Sequence, residues 1–83
     1  MHGNADDSVD AIVTTVTRYL QSHPLAADSV QGVARWWLGS SHDGASLGQV
    51  QRALDRLVTM GVMRRLPLLD GTQLYSQVPP TRQ

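Results

Sequence analysis

The sequence predicts a mainly α fold closed by a small β-hairpin, an α+β class. Two observations predict it. Three successive segments carry apolar residues at helical spacing, each behind a capping residue. After them, Val62 to Val78 reads as two strand-like runs around Asp70-Gly71, a dipeptide that favours tight hairpins. At 83 residues the chain is long enough for one domain and not for two.

Residues 1–6 are polar, with Gly and Asn, and are expected to be a loose terminus. The domain is expected over 7–78, with 79–83 as a loose tail. The first helix is expected from Asp7 or Ser8, either of which can cap it. Val9, Ile12, Val13, Val16 and Leu20 form its apolar face. Pro24 ends it, because the residue before a proline is pushed out of the α region. Asp28 or Ser29 caps the second helix, whose stripe is Val30, Val33, Ala34 and Trp37, with Leu38 on its flank. Gly39 stands where a C-terminal cap belongs. A loop, GSSHDGA, follows. Ser46 then caps a third helix with Leu47, Val50, Leu54, Leu57 and Val58 on one side, and Gly61 ends it.

Pro67 has no N–H for a ladder, so its strand is an edge or the pairing breaks there. Two hairpin registers fit. A three-residue loop, Leu69-Asp70-Gly71, places Val62 and Leu66 opposite Val78 and Leu74, on a face that can cover the core. A two-residue turn at Asp70-Gly71 shifts the pairing and mixes the faces.

Composition bounds the chemistry. Seven Arg balance seven Asp, without Lys or Glu, so the net charge of zero gives no long-range pull on nucleic acid. With no Cys, disulfides and thiolate metal sites are out of reach. His2, His23 and His42 are scattered and form no ligand spacing, so neither metal nor cofactor is expected. Ser40 to Gly44, SSHDG, holds nucleophile, base and acid types, but neighbours in sequence rarely supply catalytic geometry. No enzyme is expected. The N-terminus lacks a basic segment leading into an apolar run, and no stretch reaches the roughly 20 apolar residues of a membrane span. A cytoplasmic protein is the expectation.

Ser46 to Leu66, SLGQVQRALDRLVTMGVMRRL, resembles the winged helix-turn-helix superfamily: an N-cap, a helix with this apolar spacing, a Gly, then a first wing strand. The resemblance covers roughly Ser8 to Val78, and its degenerate motif names no subfamily. It implies a three-helix winged-helix domain that binds double-stranded DNA as a transcriptional regulator. The third helix would enter the major groove and the wing would touch the backbone. By position, Gln49, Arg52, Arg56 and Thr59 would face bases, and Arg64 and Arg65 would meet phosphates.

Other residues imply a different partner. The link from Gly39 to Ala45 is longer than in the compact motif. Asp55 lies three residues from Arg52 and can pair with it. Arg64 and Arg65 are adjacent on a strand and point to opposite faces. The wing turn is acidic at Asp70 and apolar at Leu68 and Leu69. Those leucines either form a patch for a second chain or remain singly exposed or folded back. Trp37 belongs to the core stripe. Trp36, about 100° around the helix, is either an interface anchor or a ring lying flat on its neighbours. Trp36, Leu68 and Leu69 therefore define the alternative: a non-catalytic module that docks on another protein or forms a homodimer.

Overall fold

The computed structural model describes residues 4–39 and 44–79, with side chains from Ser8 onward. Among them are three helical segments and a three-stranded antiparallel sheet. The order is α1 (Asn4–Ser22), β1 (Ala27–Asp28), α2 (Val30–Gly32), a π-helical continuation (Val33–Trp37), α3 (Leu47–Thr59), β2 (Met63–Pro67) and β3 (Gln73–Gln77).

α1 begins at Asn4, inside the segment expected to be loose, and ends at Ser22 just ahead of Pro24. Its buried residues, Val9, Ile12, Val16 and Leu20, are the expected stripe. Ser29 caps α2, its hydroxyl accepting the Gly32 N–H at 3.2 Å. The helix then widens. The Leu38 N–H bonds the Val33 carbonyl, five residues back, in place of the α-helical four. This longer return buries Val33, Trp37 and Leu38 together and leaves Val30 and Ala34 half-buried at the core margin. Trp36 turns outward.

α3 opens on a capping box. Ser46 Oγ accepts the Gln49 N–H at 3.1 Å, and Gln49 Oε1 accepts the Ser46 N–H at 2.9 Å. The helix buries Val50, Ala53, Leu54 and Leu57 against α1. Leu47, expected on that stripe, is 49% exposed. It shares the bearing of Leu54 but stands two turns earlier, past the end of the core. The helix closes in a Schellman motif: the Val62 N–H reaches the Leu57 carbonyl and the Gly61 N–H reaches that of Val58. Gly61 has φ +81°, a left-handed value that side chains resist.

Strand β1 was not foreseen, since two residues carry no alternation to detect. It pairs with β3, giving the order β1-β3-β2. The hairpin takes the three-residue loop. Leu66 faces Leu74, Val62 joins Val78, and the Gly71 N–H closes a turn onto the Leu68 carbonyl, with Gly71 at φ +90°. The face that covers the core is the opposite one. Met63 and Tyr75 are buried, each 2% exposed, whereas Leu66 and Leu74 are half-buried and Val78 is exposed. The Schellman turn sets this phase, because it delivers Met63 inward as the second residue after Gly61. Val62 packs only partly against the core.

β2 is an edge strand, as Pro67 requires. The bonds at Val62–Val78 and Leu68–Thr72 fix the alternation, so Pro67 and Gln73 form a non-hydrogen-bonded pair. The missing N–H of Pro67 points away from the sheet and costs no ladder bond.

Candidate functional site

The helix period distributes the exposed side chains of α3 into three rows. Arg56 leans toward α1, Asp55 leans toward the hairpin, and Arg52 lies between them with Gly48 and Thr59 above and below. Each row has a different electrostatic fate.

Arg56 is held. Its Nη1 donates to Asp10 Oδ1 on α1 in an ion pair. Asp55 does not pair with Arg52, the partner its spacing suggested. Its Oδ1 accepts from Arg65 Nη2 at 2.7 Å and from Gln51 Nε2 at 2.9 Å. Gln51 Nε2 also lies 2.7 Å from the Tyr75 hydroxyl, and the Arg65 guanidinium sits 5.9 Å over the Tyr75 ring. Gln51, Asp55, Arg65 and Tyr75 thus clamp the hairpin to α3. The hydrogen bond that Arg65 donates to Asp55, then that to Tyr75, raises the Arg65 pKa above its already high ordinary value.

Arg52 is exposed and has no polar partner among the described residues. Thr59 is exposed at the last position of α3. Gln49 is committed to the capping box, which occupies the oxygen that bidentate contact with adenine needs. Arg64 and Arg65 diverge as adjacent strand residues must. Arg65 stays on the α3 side, and Arg64 shares the outer face with Ser76. The six residues expected at a DNA surface therefore do not form one patch. Arg52 and Thr59 present free groups on one face, Arg56 and Arg65 border it in ion pairs, Gln49 caps, and Arg64 looks the other way.

Beside α3, an open cleft of about 500 Å³ runs between the start of α2, the first turns of α3 and β3. Ser29, Gln31, Gln51, Thr72 and Gln73 give it polar walls, and Leu47 and Tyr75 give it apolar ones.

The residues expected at a protein interface are all exposed. Trp36 is 68% exposed, with the Arg35 guanidinium 6.0 Å over its ring. Leu68 is 44% exposed and Leu69 is fully exposed at the hairpin tip. At that tip Asp70 accepts the Thr72 N–H at 2.9 Å, and bonding to Thr72 holds its pKa below the ordinary carboxylate value.

Sequence reading missed Asp10, Gln51 and Tyr75 as members of this surface, and it gave Asp55 the wrong partner. Asp10 and Arg56 are 46 residues apart and Gln51 and Tyr75 are 24 apart, so no local spacing announces either contact. Among the described residues no three His, Cys, Asp or Glu side chains gather to hold a metal ion, and no helix is long and apolar enough to cross a membrane. His2 and most of the SSHDG segment lie outside the described residues; His23 is described, stacked on Tyr19, which stacks in turn on Trp37. No family model, curated protein or solved structure matched the chain.

Proposed function

We propose that the chain is a winged-helix domain that binds duplex DNA weakly, with Arg52 at the centre of the contact. The observation that carries this reading is the Arg52 guanidinium, exposed in the middle of the solvent face of α3 and without a polar partner among the described residues. Gly48 lies one turn before it and leaves room for a close approach. The order α1-β1-α2-α3-β2-β3, with β1 closing on β3, is the arrangement a winged helix requires and supports the same reading. In this pose Arg52 contacts a base edge or phosphate, Thr59 accompanies it, and the clamp holds the hairpin beside the duplex. Asp10 and Asp55 restrain the affinity, because Arg56 and Arg65 must leave carboxylates before they meet phosphates. Fluorescence anisotropy with a labelled duplex at low salt tests it. Binding that Arg52→Ala removes supports the reading. No binding at low salt, where counterion release is most favourable, ends it.

One observation favours a second reading, a protein-docking module. Leu69 is fully exposed at a tip whose one charge, Asp70, is acidic, and Trp36 is also largely exposed. Here Trp36, Leu68 and Leu69 anchor a partner or a second copy. A monomer by sedimentation, together with Leu68→Asp and Leu69→Asp variants that still capture every partner, excludes it.

A further inference from the structure

The outer face of the sheet, away from α3, carries a site that the DNA reading does not use. Antiparallel partners share a face, so Arg64 and Ser76 stand side by side there, with Leu66 and Leu74 in the next row. Where the turn after α1 meets this face, Pro24, Leu25, Arg64, Ser76, Gln77 and Pro79 enclose a shallow cleft of about 200 Å³.

Three features of the cleft are unresolved by the fold itself. Ser76 is only 9% exposed, and its hydroxyl is buried with no hydrogen-bond partner among the described residues. A buried hydroxyl left unpaired costs free energy, so a ligand group that bonds it gains that amount. Arg64 carries a charge with no acidic partner among the described residues, and no acid lines the cleft. Asp28 on β1 pairs with Tyr75 and so belongs to the inner face. Leu25 stands 94% exposed at the rim between two prolines.

We propose that this cleft docks an acidic, apolar peptide segment of a partner protein. A leucine-sized side chain of the segment lies against Pro24, Leu25 and Pro79. A neighbouring carboxylate meets the Arg64 guanidinium, and a polar group of the segment pairs with the Ser76 hydroxyl. The size argues for a peptide. Self-contained small-molecule sites run to about 300–1,000 Å³, whereas this cleft takes one or two side chains. The site faces away from Arg52, so a DNA contact through α3 and a docked partner do not exclude each other. The proposal stands independently of the DNA reading.

Titration of the isotope-labelled full chain by amide NMR tests it, with the probe Gly-Ser-Leu-Glu-Leu-Ser-Gly and its Glu→Gln and Glu→Lys counterparts. The Glu peptide is expected to shift the amides of Leu25, Arg64, Ser76 and Gln77, and to bind about fivefold more tightly than the Gln peptide, the size of a partly exposed charge pair. Arg64→Glu reverses the preference toward the Lys peptide. Ser76→Ala keeps or raises thermal stability, because it removes an unpaired buried hydroxyl, and it weakens the Glu peptide. Shifts confined to other surfaces, equal affinity for Glu and Gln peptides, or a stability loss in Ser76→Ala would each overturn the proposal. So would duplex DNA shifting these same amides in place of the peptide.

Discussion

Arg52 and Arg56 are one turn apart on the same helix, yet they differ in what they have available to give a ligand. Arg56 shares its charge with Asp10, and Arg52 shares its charge with nothing described. Arg52→Ala is therefore expected to leave stability within about 0.5 kcal/mol, as at an unpaired surface site, while costing about 1–3 kcal/mol of duplex affinity. Asp10→Asn works in the opposite direction. It frees Arg56, so duplex binding tightens and its salt slope steepens by about one phosphate contact. Asp70 supplies a pH test. Its folded pKa lies below its ordinary value of 3.8, so it favours the fold above that pH. The contribution is lost as pH falls through the lower folded value. Asp70→Asn is expected to flatten the stability profile in that acid range, read by thermal melts against pH. These residue roles were only partly legible. The exposure of Arg52 and Thr59 follows from helical position, which sequence carries, whereas Trp36 and Leu69 were left open between an exposed and a covered side chain. The pairings of Arg56 and Arg65 depend on contacts across the fold, which local spacing does not encode.

The secondary elements were more legible, because caps and turns are local chemistry. Ser46, Gly61 and Asp70-Gly71 mark the ends of α3 and the hairpin loop, and the structure uses each of them. Ser46→Ala is expected to lower stability by about 1 kcal/mol through loss of the capping box, measured by denaturant unfolding. Leu54→Ala, at the centre of the core, is expected to cost about 2–5 kcal/mol in the same assay. Three features escaped the sequence for physical reasons. β1 is too short to show a pattern. The π widening after Gly32 changes the spacing on which a helical stripe is read. The inward face of β2 is set by where the Schellman turn releases the chain, so counting apolar residues chose Leu66 and Leu74 where the backbone chose Met63 and Tyr75.

In the assembled molecule, pairing draws down the charge that α3 presents. Seven positive and seven negative side chains sum to zero, and two of the arginines that surround α3 are tied to aspartates. Among the described residues, the α3 surface is thereby left with one strong free cation at its centre, and the outer sheet face with another at Arg64. Such a molecule has little electrostatic steering toward DNA and depends on close contact once there. The most direct measurement is duplex anisotropy at low salt on three proteins: the natural chain, Arg52→Ala and Asp10→Asn. The proposed DNA contact predicts weak binding by the first, loss in the second and a gain in the third, all fading as salt rises. Equal signals from all three would contradict it, as would an absence of binding throughout.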